Sequence, residues 1–393
     1  MIIKNACILD YRGRKKGDLL IEDGYIRGLG SFDETGHEII DAKGQVLMPS
    51  FVDLHVHMRD PGLTYKEDLE TGARAALKGG YTIINAMANT RPVVDNRGIY
   101  EDIITRSNDL GLIDLHQVMT VSKKMEGKDL IDFDDLPESL TFLSDDGKGI
   151  LSNHLMYQAL KKAKEKNIGI MVHAEDPDIS PYDYRAAEDL ITIRDIYLSK
   201  ATGAKVHFSH VSTYDSLEAI RLGKIEGLNI SCETTPHHIA LSDLDYRVNP
   251  PIRTERDRLK LIESIQNGTV DAIATDHAPH SKEDKDKGAP GSIGLESSFP
   301  VVYTELVEKG YINLERLSKL MSYNPGHILG LDHGIIEPGL KADIVLVNIN
   351  ETTMFTENYF ASKSKNSMFI GKEFKGRVKM TIKEGKVLYE DNR

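Results

Sequence analysis

Tryptophan is absent from this 393-residue chain, and cysteine is limited to Cys7 and Cys232. Two cysteines so far apart cannot form a disulfide framework and fit a reducing compartment. No stretch approaches the roughly 20 consecutive apolar residues that span a bilayer. The opening residues MIIKNACILDYRGRKKGDLLIEDG lack the apolar segment of a signal peptide. A cytoplasmic location is expected. Positive charge is also short, with 49 basic against 61 acidic residues and a net charge of −12. A chain this acidic is repelled by phosphate backbones, which argues against a nucleic-acid partner. Neither GxxxxGK[ST] nor a GxGxxG after an apolar run occurs, so no phosphate-binding loop is expected.

Apolar residues make up 40 % of the chain, enough for a full core, and there are 14 histidines. Both ends read as short strands. Met1–Leu9, Asp18–Ile26, Ile39–Asp41 and Gln45–Met48 lie at one end, and Ala342–Val347, Arg377–Ile382 and Lys386–Tyr389 at the other. Neither end is long enough to bury a good core alone. They are expected to pair into one β-sandwich domain of residues 1–50 and 336–393.

Residues 51–335 have a different rhythm. Eight apolar runs alternate with helical segments: Phe51–Val56, Thr82–Met87, Leu115–Val121, Leu140–Leu143, Ile168–Val172, Lys205–Phe208, Leu228–Cys232 and Val270–Ala274. Continuous apolar runs between helices predict parallel strands buried on both faces. Eight such units predict a (β/α)8 TIM-type barrel. Helices are predicted over Lys66–Lys78 and Asn153–Lys166.

Ligand-type residues follow the runs. They include His55-Val56-His57, Asp145-Asp146, His173, His210, His237-His238 and Asp276-His277. In a barrel these strand ends converge on one face. His55 and His57, two apart on a strand, point to one side and are able to chelate one ion. The histidines and Asp276 together suit zinc, ahead of manganese, cobalt or iron. A metal lowers the pKa of its water toward neutrality, and Asp276 is the candidate to take that water's proton. At Asp145-Asp146 the residues alone admit either one as the inward group. Arg59, two past His57, suggests a substrate carboxylate, and His280 and Asn89 have the same standing. The charge run Ser281–Gly288, SKEDKDKG, reads as a solvated loop or an active-site lid.

Residues 49–62, PSFVDLHVHMRDPG, resemble the opening signature of the amidohydrolase superfamily and, more narrowly, of dihydroorotases. The resemblance continues through YKED at 65–68, MANTRP at 87–92, SDDG at 144–147, RVNPP at 247–251 and ATDHAPH at 274–280. It thus covers nearly the whole chain. HVHMRDPG and ATDHAPH together are specific, whereas either alone also fits hydantoinases and allantoinases. The resemblance implies the reversible cyclisation of N-carbamoyl-L-aspartate to L-dihydroorotate and water, in pyrimidine biosynthesis. It implies one or two zinc ions held by His55, His57, Asp146, His173, His210 and Asp276. Asp276 would shuttle the proton for a metal-bound hydroxide. Arg59, Asn89 and His280 would hold the substrate carboxylate, with Asn249 and the backbone at Pro290 and Gly291 facing the ring. Many relatives bridge two metals with a carboxylated lysine on the fourth strand. Phe142–Gly147 has no lysine, so the chain resembles the branch that uses an aspartate there. Ala88-Asn89 also replaces the more usual Pro-Asn. Some dihydroorotases associate with aspartate transcarbamoylase, which the resemblance adds as a partner.

Overall fold

The computed structural model describes residues 1–391. Its centre is a ring of eight parallel strands. They are β1 (Phe51–Val56), β2 (Tyr81–Ala86), β3 (Asp114–Gln117), β4 (Phe142–Leu143), β5 (Gly169–Val172), β6 (Val206–Phe208), β7 (Ile230–Thr234) and β8 (Ala272–Ile273). Every residue of β1, β2 and β5 is buried, as strands covered on both faces must be. The order β3–β2–β1 forms one run and β4–β5–β6–β7–β8 the other. Parallel bridges Met119–Leu143 and Val56–His277 join the two runs into a closed barrel. Each predicted apolar run contains its strand or overlaps it, with ends shifted by a few residues.

Helices cover the ring. The first begins at Leu69, three residues later than predicted, because Asp68 caps it by accepting from the Thr71 N–H at 2.8 Å. Lys66 and Glu67 therefore lie outside the helix. Glu67 accepts from the Lys363 N–H at 3.0 Å and from the Ser362 hydroxyl. The second predicted helix spans Asn153–Glu165, with Leu155, Ala159, Leu160 and Ala163 buried.

The chain ends build two sheets beside the barrel. One is four-stranded, in the order Tyr25–Gly30, Asp18–Glu22, Ile2–Lys4, Ile39–Asp41. The other is six-stranded, in the order Lys386–Glu390, Glu373–Lys383, Ile344–Met354, Val46–Pro49, Cys7–Asp10, Gly13–Lys15. Ile3, Leu19, Ile26, Leu47, Ile344 and Ile382, from both ends of the chain, share one core. Two predicted strands are each divided here. Met1–Leu9 breaks at Asn5 (φ 56°), and Asp18–Ile26 turns at Asp23-Gly24 (φ 51° and 82°). Asp-Gly is a hairpin signal, and both residues tolerate the left-handed backbone that the turn needs.

The terminal sheets aim β1. Leu47 pairs with Leu346 in the six-stranded sheet, and the Ser50 N–H donates to the Asp343 carbonyl at 3.0 Å. The chain then enters β1 at Phe51. That ring lies edge-on to Tyr81 with centroids 5.6 Å apart, and stacks on Phe299 at 5.5 Å. The Tyr81 hydroxyl donates to Ser298 Oγ at 2.8 Å. Among the described residues no helix is long and apolar enough to cross a membrane. Phe51→Ala removes a fully buried ring at this junction. It should cost about 3–5 kcal/mol of stability, read as a lowered urea midpoint. A midpoint equal to the parent's would show that the Phe51 contacts do not anchor β1.

Candidate active site

The two β1 histidines are oriented from behind. His55 Nδ1 donates to Glu233 Oε1 of β7 at 3.1 Å, and His57 Nδ1 donates to Asn89 Oδ1 at 2.8 Å. With each Nδ1 proton used, both Nε2 lone pairs face the barrel mouth. His57 Nε2 lies 3.1 Å from Asp276 Oδ1 and 3.5 Å from Asp146 Oδ2. His55 Nε2 lies 3.4 Å from Asp146 Oδ1 and 3.7 Å from Asp276 Oδ1. Asp146 reaches the other side as well, 3.3 Å from His173 Nδ1 and 3.6 Å from His210 Nε2.

Two sets of donor atoms each gather within 4.8 Å: His55, His57 and Asp276, and His55, Asp146 and His210. His173 lies against the second set without belonging to a threesome. His55 Nε2 and Asp146 Oδ1 are buried and have no hydrogen-bond partner among the described residues. Converging imidazole and carboxylate donors with unpaired buried atoms fit a divalent transition-metal ion. Burial opposes charge on Asp276, but the hydrogen bond with His57 and the nearby imidazoles hold it well below the usual carboxylate range. Asp146 is likewise buried and held far down by His55, His173 and His210. Glu233, buried between His207 and His55, is held down to about 2. All three carboxylates are therefore ionised at neutral pH.

The adjacent aspartates divide. Asp145 turns away from the cavity, and its Oδ1 accepts from the N–H groups of Val121 at 2.8 Å and Ser122 at 3.1 Å. Its Oδ2 accepts from the Ser122 hydroxyl. Asp146 turns inward, and Lys148 is exposed.

One cavity of about 200 Å³ is lined by His57, Asp146, His173, His210 and Asp276, and also by Arg59, Asn89, Asn249, His280, Pro290 and Gly291. Arg59 reaches it by a different route from strand alternation. β1 ends at Val56, and Arg59 has φ 61°, so a left-handed turn swings its side chain inward. Its Nε donates to the Pro279 carbonyl at 3.2 Å. No ion-pair partner of this guanidinium lies among the described residues, and burial pulls its pKa to about 10. His210 (φ 36°) and Asp276 (φ 47°) are left-handed too. Such backbone costs on the order of 1–3 kcal/mol per residue and clusters at functional sites. Gly291 (φ 139°) admits no side chain, since a Cβ would sit 2.8 Å from the Ala278 Cβ. Its N–H donates to the Arg247 carbonyl, and its carbonyl accepts from Lys285 and Asn366. Its polar groups are thus spent on the protein, while the residue itself lines the cavity. Asn249 Nδ2 donates to Glu175 Oε2 at 2.5 Å, and that carboxylate also meets His173 Nε2 at 3.0 Å.

Sequence reasoning missed Glu233, His207 and Glu175. A charged residue directly after the apolar run Leu228–Cys232 was the available signal for Glu233, and a histidine inside the run Lys205–Phe208 for His207. His207 Nε2 lies 3.1 Å from Glu233 Oε2, extending the line behind His55. The charge run after β8 is not a plain solvated loop. Lys282–Asp286 is a short helix, and Lys285 donates to the carbonyls of Arg247, Ala289 and Gly291, each at 2.9 Å.

The twin aspartates should separate on substitution. Asp145→Ala strands three buried donors and should lower stability by about 2–4 kcal/mol. Asp146→Ala should leave the melting temperature of metal-free protein nearly unchanged and reduce metal uptake, measured by elemental analysis. The reverse pattern would exchange their roles.

The amidohydrolase family pattern matches residues 46–388. The chain is 45 % identical to a dihydroorotase of Clostridium botulinum (strain Eklund 17B / Type B), with 99 % of each chain covered. It is 38 % identical to a dihydroorotase of Aquifex aeolicus (strain VF5), covering 100 % of this chain and 99 % of that one. Among solved structures, the L-hydantoinase of Arthrobacter aurescens superposes with a TM-score of 0.89 at 26 % identity, covering 100 % of this chain and 96 % of that chain. The dihydropyrimidinase of Brevibacillus agri, at 23 % identity, shares the fold with a TM-score of 0.88, over 100 % of this chain and 95 % of that one.

Proposed function

The chain belongs to the amidohydrolase family, among the dihydroorotases, and from that premise we propose that it interconverts N-carbamoyl-L-aspartate and L-dihydroorotate plus water. The observation that carries this reading is one cavity with two unlike halves. One half is the nest of His57, Asp146, His173, His210 and Asp276, with His55 packed against Asp146 and Asp276. The other is a buried corner of the Arg59 guanidinium and the His280 imidazole, the chemistry that a substrate carboxylate requires and a neutral ring does not. We assign the first six residues as ligands of one or two zinc ions. Arg59, Asn89 and His280 are assigned to the substrate carboxylate, and Asn249, Pro290 and Gly291 to the ring. The barrel is taken as residues 51–335, with residues 1–50 and 336–393 as the composite β domain.

Bound at those ligands, zinc would supply Lewis acidity to the ring carbonyl and lower the pKa of a water. The remaining steps belong to the chain's own groups. Arg59, Asn89 and His280 orient the ring by its carboxylate, which places the ring amide over the nest. Asp276, ionised at neutral pH, takes a proton from the attacking water. Oxygen bonds to the amide carbon and the C–N bond breaks. Asp276 passes its proton to the departing nitrogen. Ring closure runs the same steps in reverse and releases water.

Purified protein incubated in parallel with L-dihydroorotate, hydantoin and allantoin should turn over the first by preference. Arg59→Ala should lower kcat/KM for L-dihydroorotate by about 2–4 kcal/mol, the scale of a buried charged hydrogen bond. A preference for hydantoin, untouched by Arg59→Ala, would make this a hydantoinase. Asp276→Asn should lose about 10²–10⁴ in kcat, measured in preparations with matched metal content. Near-normal turnover there would remove Asp276 from proton transfer.

A further inference from the structure

Lys66 has no role in the reaction described so far. It lies on the turn before the first barrel helix, with its side chain 11 % exposed. Its ammonium is 3.1 Å from His280 Nδ1 and 3.2 Å from Asp284 Oδ2. On the far side of the same imidazole, Arg59 Nη2 is 3.3 Å from Nε2. Lysine and arginine only donate, and a neutral imidazole offers one lone pair and one N–H. His280 is neutral, because burial and then the charges of Arg59 and Lys66 hold its pKa down to about 3. One of the two contacts must therefore set donor against donor.

The backbone that carries the ring is pinned: the His280 main-chain N–H donates to Asn366 Oδ1 at 3.0 Å, and Asn366 Nδ2 in turn donates to the carbonyls of Ala278 and Gly291. Lys66 makes the shorter contact, and Asp284 anchors it. Arg59 spends its Nε on Pro279 and faces the cavity with the rest of its fork. The donor-to-donor contact is thus assigned to the Arg59 side. There an acceptor entering the cavity is able to bind both groups at once.

We propose that Lys66 is a positioning residue: it holds His280 Nδ1 as an acceptor, so that Nε2–H and the Arg59 guanidinium form a two-pronged clamp for the substrate carboxylate. Asp284, in the charge run after β8, holds Lys66 in place. The inference rests on the carboxylate assignment made under the proposed function. It adds to that assignment the residue that sets the tautomer.

The test uses the metal-loaded enzyme. Lys66→Met removes the donor and keeps the stem. KM for L-dihydroorotate should rise about 10- to 100-fold, the scale of one charge-assisted hydrogen bond. The change in kcat should be smaller, with metal content unchanged. Lys66→Arg should recover part of the loss. The ¹⁵N spectrum of histidine-labelled enzyme should show His280 as the Nε2–H tautomer, and Lys66→Met should shift it toward a mixture. Asp284→Asn should raise KM in the same direction by less, which keeps the test standing if Lys66→Met fails to fold. An Nδ1–H tautomer in the parent enzyme overturns the inference. So does an unchanged KM in Lys66→Met where Arg59→Ala raises it, and that result leaves the carboxylate reading intact. If KM is unchanged in Arg59→Ala as well, the carboxylate reading itself fails.

Discussion

The His57 N–H donates to the His277 carbonyl at 2.9 Å, and the rest of the site depends on that hydrogen bond. It is the seam at which the first barrel strand meets the last. His57 and Asp276 are 219 residues apart in sequence, yet their side chains come within 3.1 Å because the ring closes there. A parallel barrel sends the C-terminal ends of all eight strands to one face. Closure therefore brings the β1 histidines against the residues that follow β4, β5, β6 and β8. The terminal sheets contribute from outside by presenting β1 at a fixed angle through the Ser50–Asp343 bond.

Behind the inward-facing atoms stands a row of groups that hold the rings. Glu233 and Asn89 consume the outward protons of His55 and His57, and Glu175 meets His173. Without them each ring has two tautomers and a swivel. With them the lone pairs are aimed before any ligand arrives. The same logic explains the divided aspartates. Asp145 is committed to the backbone of the β3–β4 connection, which leaves Asp146 alone to face four imidazoles.

Much of this was legible from residue order, because period and spacing are local properties. The eight strands lie on or overlap mainly apolar runs, and a pair of histidines two apart on a strand must share a side. Other features depend on partners distant in sequence. The choice between Asp145 and Asp146 followed from a family resemblance. Residue pattern alone did not make it, since the acceptors' partners lie at Val121 and Ser122. Arg59 was assigned by strand alternation, but the strand had already ended and a left-handed residue carries it inward. Glu233 directly follows the apolar run Leu228–Cys232, and its meaning required His55 and His207 beside it. The helix expected from Lys66 began at Leu69 because Asp68 is the better cap, and that shift freed Lys66 to reach His280.

The local charge of the cavity runs against that of the whole molecule. A net charge of −12 creates a field that repels anions, and the substrate proposed here is one. Arg59, Lys66 and Lys285 form a cationic rim beside the nest, and burial lowers the pKa of all three. Their number and placement make sense as a short-range counterweight. At separations beyond about 8 Å at physiological salt the surface charges are screened, so the repulsion fades while the cations beside the cavity keep acting. Asp284 and the carbonyls around Lys285 then have a second consequence. They hold two of those cations at fixed points, 3.2 Å and 2.9 Å from their partners, so that charge which would otherwise sit on flexible lysine stems becomes part of the wall. The segment that reads in sequence as a solvated loop or a lid is, in the folded chain, a brace for the cationic side of the cavity.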